Sequence, residues 1–309
     1  MFAIHQTKAG SHARRIRMPQ VNLTAEGKKL PHPAAWAPRI FADTATFADI
    51  EPLYDAGIIT GLTTNPTLVK KAGATSWAEA EKISKRLLTL MDPYPVSLEL
   101  TEVTQEKMVD QARLLSSWGK NVVIKVPVGG YTAIDPSYDP FTGLKVLRAL
   151  WQMDIKTNAT LIFNSTQAFW AANAGAMYVS PFLGRMADYA YKNDHPERSP
   201  GNSLYWIEDH KNAHNDQNIH NTEYVASGGD RKDIGVRLIQ EISVIFTNYD
   251  IQCQILAASF RNFAQVSECL LAGADILTVP APLLENVPFH PLTQAGMKTF
   301  VADAEVFDK

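Results

Sequence analysis

The sequence predicts a (β/α)8 barrel, and three observations carry that prediction. Short apolar runs alternate with helical patterns from residue 39 to the end of the chain. Several helical patterns end in Ala-Gly directly before an apolar run, as at Gly57, Gly175 and Gly273. Glycine closes a helix because it adopts the left-handed conformation without strain. Polar residues also recur where the apolar runs end, which is where barrel enzymes carry their active sites.

Eight strand-then-helix units in about 270 residues fit a closed barrel better than an open sheet. Runs of Val, Ile and Leu are typical of parallel strands that are buried on both faces. The predicted strands are 39–42, 59–63, 96–100, 121–126, 158–163, 176–180, 252–258 and 275–279. The amphipathic helices with the clearest periodicity are 77–90, 107–117, 142–151, 232–247 and 266–271.

Composition excludes several classes of function. The chain has 309 residues, 46% of them hydrophobic, and a formal net charge of −3. This near-neutral balance gives no signal for nucleic acid or a membrane surface, and no apolar stretch reaches the length of a membrane span. Cys253 and Cys269 lie in apolar context without metal-like spacing, which is typical of buried thiols in a reducing compartment. We therefore expect a cytoplasmic protein, and we also expect a homo-oligomer.

The chain divides into an N-terminal extension, residues 1–38, and a barrel domain, residues 39–309. The extension is rich in Arg at its start and has no acidic residue before Glu26. A transit peptide is one interpretation, but a clear amphipathic helix is missing. The interpretation that we favour is a surface arm that packs on the barrel or on a neighbouring subunit.

A long insertion, residues 187–231, follows the sixth predicted strand. Loops of this length are usually lids, oligomer contacts or disordered segments, and a loop after a barrel strand lies on the catalytic rim, where it could cover a substrate. His210 and His214 are four residues apart, a spacing that can bind zinc, and His195 and His220 lie nearby. Because no further ligand supports a zinc site, we predict solvated loop histidines and no metal.

Lys125 lies in the apolar run 121–126, where an ammonium group is costly unless it is paired or discharged. A lysine in such a place suits Schiff-base chemistry, because only the free amine attacks a carbonyl. The alternative is a structural lysine that is paired with a carboxylate, and Glu99 is the obvious candidate. The strand alone does not decide between these two interpretations.

Polar or ionisable groups are expected at one rim of the barrel from almost every strand. Single members have ordinary explanations, since Asp43 could cap a helix and Asn65-Pro66 is a common turn. Their convergence at one end of the fold favours an active site. The strand-end residues are Asp43, Thr64, Asn65, Glu99, Lys125, Asn158, Thr160, Ser180, Ser259 and Arg261.

Six segments resemble, in order, the signature motifs of the transaldolase family. They are FADTA at 41–45, GLTTNPTL at 61–68, IKVP at 124–127, NATLIF at 158–163, VSPFLGR at 179–185 and AASFRN at 257–262. The resemblance covers nearly all of residues 39–305. It implies a class I aldolase-type barrel whose Schiff-base lysine lies on the fourth strand, where Lys125 falls.

The resemblance also implies roles for the rim residues. Lys125 forms an imine with the C2 ketone of a ketose phosphate, Asp43 is the general acid/base at the C4 hydroxyl, and Glu99 and Thr160 hold a catalytic water. No metal or cofactor is implied, because the imine replaces the Lewis acid of metal-dependent aldolases. Three residues are implied to bind the dihydroxyacetone portion, namely Asn65, Asn158 and Ser180, and three to bind the phosphate, namely Arg185, Ser259 and Arg261.

Two positions help to choose an activity. Fructose-6-phosphate aldolases resemble this chain but carry Gln at position 99 and Tyr at position 182, where this chain has Glu99 and Phe182. We therefore expect a transaldolase of the pentose phosphate pathway, which moves dihydroxyacetone from sedoheptulose 7-phosphate or fructose 6-phosphate to an aldose phosphate. The alternatives are an aldolase-like lyase, a transaldolase for a sulfonated or deoxy ketose, and a non-catalytic phosphate-binding barrel. Departures from the family pattern at 128–131, 134–141 and 187–231 leave the donor and acceptor open.

Overall fold

A closed parallel barrel forms the centre of the computed structural model, which describes residues 38–131, 139–194 and 233–307. Each strand pairs with the next, and the eighth pairs with the first. The strands are β1 Arg39–Asp43, β2 Leu62–Thr63, β3 Val96–Glu99, β4 Val122–Pro127, β5 Thr157–Ile162, β6 Tyr178–Pro181, β7 Gln254–Ala258 and β8 Ile276–Val279.

Helices follow each strand, so the predicted (β/α)8 barrel is confirmed. A short 3-10 turn at Glu305–Phe307 follows the last of them. In the described part of the chain the helices are α1 Phe47–Asp55, α2 Pro66–Lys71, α3 Trp77–Met91, α4 Gln105–Ser116, α5 Thr142–Gln152, α6 Ser165–Asn173, α7 Leu183–Asp194, α8 Ile234–Asn248, α9 Phe263–Leu271, α10 Ala281–Asn286 and α11 Pro291–Ala304.

The predicted strands are all present, with ends that shift by a few residues. The largest difference is β2, which has regular strand geometry only at Leu62 and Thr63 instead of over 59–63. The residues before it nevertheless follow β1, because Thr60 N–H donates to Ile40 O and Gly61 O accepts from Ala42 N–H. The apolar pattern therefore located the strand correctly and overestimated its regular part.

Local signals fix where the helices begin and end. Gly57, Gly175 and Gly273 have φ angles of 69°, 98° and 94°, which confirms the predicted left-handed helix ends. Asp233 accepts hydrogen bonds from the backbone N–H groups of Gly235 and Val236. This cap explains why α8 begins at Ile234, two residues later than predicted.

Alternation along the strands separates two apolar layers. Side chains that point outward from the barrel pack against the surrounding helices, while an inner cluster fills the barrel. Fully buried members of the inner cluster include Phe41, Tyr178, Leu256 and Ile276. Because these residues fill the middle of the barrel, the inward positions at the carboxyl ends of the strands are left for polar side chains.

Parts of the predicted organisation lie outside the described residues. These are the extension up to residue 37, residues 195–231 of the insertion and the four insertion histidines. Residues 187–194 of the expected insertion belong to α7. Among the described helices, none combines the length and the apolar character that crossing a bilayer requires.

Candidate active site

Three polar side chains lie side by side on adjacent strands at the carboxyl end of the barrel. Lys125 of β4 is in register with Glu99 of β3 on one side and with Asn158 of β5 on the other. Alternate residues of a strand share one face, so these three face the interior above the apolar filling. The barrel register alone thus brings an amine, a carboxylate and an amide together.

Lys125 is buried, with 4% of its surface exposed, and it is paired. Its Nζ lies 3.1 Å from Oε2 of Glu99 and donates to the carbonyl oxygen of Thr64 at 3.3 Å. Nζ also lies 5.7 Å from the centre of the Phe182 ring. The carboxylate partner that the sequence suggested is therefore present. Since Lys125 also lines a cavity, the ion pair leaves the amine within reach of a ligand.

Asp43 at the end of β1 is the second ionisable group of the site. Its Oδ1 accepts a hydrogen bond of 2.7 Å from the Thr63 hydroxyl, which lies 2.6 Å from the Thr278 hydroxyl. Burial raises the pKa of the Asp43 carboxyl, and the charge of Lys125 and the Thr63 hydrogen bond partly oppose that shift. A carboxyl that holds a proton more readily than usual suits general acid/base chemistry.

A chain of hydrogen bonds fixes Asn158. The Ser180 hydroxyl donates to Oδ1 of Asn158 at 2.7 Å, and Nδ2 of Asn158 donates to the Ser97 hydroxyl at 3.3 Å. All three side chains are buried. The amide is therefore held in one orientation next to Lys125.

The surroundings of Thr160 and Asn65 bear on the roles that the family resemblance implies for them. The Thr160 hydroxyl is buried and has no hydrogen-bond partner in the part of the chain that the structure describes. A buried hydroxyl of this kind requires an explanation, such as a bound water or ligand. Asn65 caps α2, because its Oδ1 accepts from Leu68 N–H at 3.0 Å, and it also lines the cavity.

Arg261, Ser259 and Arg185 form a cationic end of the site. Nε and Nη2 of Arg261 both donate to Oδ2 of Asp188, at 3.0 and 2.8 Å. Nη1 of Arg261 donates to the carbonyl oxygen of Ser259 at 3.0 Å. Arg185 is exposed, and its Cζ lies 5.2 Å from the centre of the Phe182 ring. Phe182 thus lies next to both Lys125 and Arg185.

A cavity of about 180 Å³ connects the amine to the arginines. Eight of the eleven site residues that the sequence indicated line it, and the other three, Glu99, Asn158 and Thr160, do not. Glu99 and Asn158 flank Lys125 in the sheet, and Thr160 follows Asn158 on the same face of β5. The eight that line the cavity are Asp43, Asn65, Lys125, Ser180, Phe182, Arg185, Ser259 and Arg261.

Sequence reasoning missed several residues of the site. Thr278 and Ser97 occupy inward positions of their strands, and a strand-end search passes over them because they precede the end. Asp188 lies in α7, 73 positions from its partner Arg261. Strand parity would have found the first two, whereas no local pattern indicates the third. No group of three or more His, Cys, Asp or Glu in the described ranges is arranged to hold a metal ion.

The fold and the site together define a class. This is a (β/α)8 barrel in which a buried lysine, a carboxyl group and two arginines line one cavity at the carboxyl ends of the strands, and a second carboxyl group, that of Glu99, pairs with the lysine. Enzymes of this fold carry their active sites at that face.

Comparison with known proteins identifies the family within that class. The family model described as Transaldolase/Fructose-6-phosphate aldolase matches residues 40–309. A probable transaldolase of Caldicellulosiruptor saccharolyticus is 36% identical over 272 residues, which cover 88% of this chain and 99% of that protein. A probable transaldolase of Aquifex aeolicus is 35% identical over 267 residues, covering 86% of this chain and 96% of that protein. The chain belongs to the transaldolase/fructose-6-phosphate aldolase family.

Proposed function

We propose that this enzyme is a transaldolase that works through a Schiff base on Lys125. It would take a dihydroxyacetone unit from sedoheptulose 7-phosphate or fructose 6-phosphate and transfer it to an aldose phosphate. Such reactions belong to the pentose phosphate pathway, and we propose a cytoplasmic location for them. The observation that carries the proposal is that the buried Lys125 and two arginines line one cavity, with the Phe182 ring next to both the amine and Arg185.

The first step requires a neutral amine at Lys125. Its Nζ is 3.1 Å from Glu99, so a carboxylate is in place to accept a proton, directly or through water. The amine would add to the C2 ketone, and loss of water would give an iminium. The buried Thr160 hydroxyl, which has no hydrogen-bond partner among the described residues, supports the idea that a water for these proton transfers lies nearby.

The second step breaks the bond between C3 and C4. The Asp43 carboxylate would accept the proton of the C4 hydroxyl while the bonding electrons move into the iminium and form an enamine. The aldose phosphate leaves with its new carbonyl group. After an acceptor aldehyde has bound, its carbon joins the enamine and Asp43 returns the proton to the new hydroxyl oxygen. Water would then hydrolyse the imine and free the amine.

The positive charges of the cavity support a phosphorylated substrate. Arginine offers paired N–H groups that match phosphate oxygens, and Arg185 and Arg261 line the same cavity as Lys125. Asn65, Asn158 and Ser180 would hydrogen-bond the dihydroxyacetone portion near Lys125. A ketose phosphate would then lie with C2 at the amine and its phosphate at the arginines.

Transfer is favoured over free cleavage by the apolar ring of Phe182. It lies in the pocket beside Lys125, where a polar group could otherwise orient the water that protonates the enamine. An enamine that is not protonated persists until an aldehyde captures it. The alternative is a fructose-6-phosphate aldolase-like lyase, and the family model that matches this chain includes that activity in its description.

Borohydride reduction in the presence of fructose 6-phosphate tests the covalent step. Wild-type protein should gain the mass of one reduced dihydroxyacetone adduct by intact mass spectrometry, and peptide mapping should locate it at Lys125. Lys125→Met should lose both the adduct and turnover, because the imine cannot form. Lys120→Met, at an exposed lysine just before the same strand, is the matched control and should behave as wild type.

Two outcomes would contradict the proposal. An adduct that maps to Lys70 or Lys145 would remove Lys125 from the covalent role. Rapid release of dihydroxyacetone from fructose 6-phosphate without an acceptor would favour the lyase. A screen of phosphorylated, sulfonated and deoxy ketoses as donors would decide whether the substrate is a modified sugar.

A further inference from the structure

Arg261 is held from two directions by residues that do not line the cavity. On the side-chain end, Oδ2 of Asp188 accepts from both Nε and Nη2. On the backbone end, the Arg261 N–H donates to Oε1 of Gln265 at 2.8 Å. The terminal nitrogen Nη2 carries two hydrogens, and the bond to Asp188 uses one of them. The remaining N–H can therefore serve an anion in the cavity.

The residues behind Arg261 are themselves fixed. Gln265 is 1% exposed, and its Nε2 donates to Oδ2 of Asp233 at 2.9 Å. Asp233 is also buried, and its Oδ1 caps the start of α8. The loop after β7 is thus tied to α7 through Asp188 and to the start of α8 through Gln265.

Among the described residues, Arg185 has no comparable support. It has no ion pair with any residue in the described ranges, and its contact there is the face of the Phe182 ring. The two arginines of the site consequently differ: Arg261 is fixed before a ligand arrives, and Arg185 has more freedom to adjust. A fixed donor binds at a lower entropic cost because its rotamers are already restricted.

We propose that Asp188 and Gln265 are positioning residues, which hold Arg261 so that its remaining N–H meets the phosphate of the substrate. The inference rests on the proposed function, because it assigns a phosphate to this end of the cavity. Neither residue touches the reacting atoms.

Asp188 would act on an anion in two opposite ways. Its negative charge lies beside Arg261 and by itself weakens anion binding, since like charges repel. Its hydrogen bonds orient the guanidinium and by themselves strengthen anion binding. The sign of the change on removing the carboxylate therefore separates positioning from simple charge attenuation.

The experiment compares Asp188→Asn, Asp188→Glu and wild type by calorimetric titration with inorganic phosphate. The same proteins are assayed for the KM and kcat of a phosphorylated donor and of unphosphorylated fructose. Positioning predicts that Asp188→Asn weakens phosphate binding and raises the KM of the phosphorylated donor roughly tenfold, the size of one ordinary contact. The KM and kcat for unphosphorylated fructose should stay at their wild-type values. Asp188→Glu should recover most of the lost phosphate affinity.

A matched control removes a carboxylate elsewhere. Glu241→Gln breaks an exposed pair with Arg237 on α8 and should change neither phosphate affinity nor KM. Gln265→Met tests the backbone contact independently and should reduce phosphate affinity in the same direction. Thermal melts accompany each variant, and the ratio of the two KM values within one variant is insensitive to loss of folded protein.

Several results would overturn the inference. Tighter phosphate binding in Asp188→Asn would show that charge attenuation dominates. Equal losses with both donors would show a general structural role, and wild-type protein that does not bind phosphate would remove the anion site. Failure of the proposed function is seen separately, as absence of a borohydride-trapped adduct at Lys125 in protein that still binds phosphate.

Discussion

Replacing Gly184 with alanine should disturb the cationic end of the site through a backbone contact. A Cβ atom at this second residue of α7 would lie 1.8 Å from the carbonyl oxygen of Ser259 and 3.1 Å from Cγ of Arg261. Because a carbon normally approaches an oxygen no closer than about 3.3 Å, α7 and the loop after β7 must separate by more than about 1 Å.

The loop has little freedom to yield. Ser259 has a φ angle of 73°, a conformation that few non-glycine residues adopt, and its carbonyl oxygen accepts from Nη1 of Arg261. Overpacking of this kind costs about 1–3 kcal/mol. A domain of this size loses about 2–4 °C of Tm per kcal/mol. We also expect the KM of phosphorylated donors to rise about tenfold, since Arg261 moves with the loop.

Thermal melts and steady-state kinetics of Gly184→Ala check both parts of this prediction. Gly296→Ala is the control, because a Cβ there meets nothing within 4 Å and the residue lies inside α11. That variant should keep its KM and gain up to about 1 kcal/mol from better helix propensity. If Gly184→Ala melts like wild type and keeps its affinity for phosphorylated donors, the close approach of the two backbones does not hold the loop.

The remaining predictions concern single side chains of the site. Arg185→Ala or Arg261→Ala should raise the KM of phosphorylated donors about 10- to 100-fold, the loss of one charge-assisted contact, with little change for unphosphorylated ketoses. Burial raises the pKa of the Asp43 carboxyl. Between the ordinary aspartate pKa and this raised pKa, the folded protein keeps a proton that the unfolded protein releases. The free energy of unfolding therefore falls as the pH rises through this range. Asp43→Asn should abolish transfer yet remove this fall, which Tm measured from pH 4 to 8 against wild type will show. Phe182→Tyr should increase acceptor-free release of dihydroxyacetone and decrease capture by erythrose 4-phosphate, whereas equal release in both proteins would mean that the ring does not control protonation.

Local sequence signals were sufficient for the barrel. Apolar runs located all eight strands, and three glycines with positive φ ended helices where the Ala-Gly pairs predicted. The pairing of Lys125 with Glu99 was also foreseeable, because consecutive parallel strands of a barrel are neighbours and both residues lie near strand ends. These features depend on residues close in sequence or on the order of the strands.

Contacts between distant elements were not foreseeable. Thr63 and Thr278 are 215 positions apart, and they meet because β1 lies between β2 and β8 and their side chains reach across the barrel interior. Asp188 contacts Arg261 because α7 passes beside the loop after β7. Each of these contacts depends on the closed geometry of the barrel and on side-chain directions, which no local pattern contains.

The two ends of the site are held by different means, and this difference bears on how the enzyme responds to mutation. Lys125, Glu99 and Asp43 belong to strands, so the register of the barrel sets their separation. Arg185 and Arg261 come after their strands end, and Arg261 is held by the hydrogen bonds that it donates to Asp188 and Gln265, next to the close approach of α7. Changes in helices and loops near the arginines should therefore act on KM for the phosphate, while the amine and its carboxylates keep their geometry. Loss of covalent chemistry should require a change in the strand residues themselves.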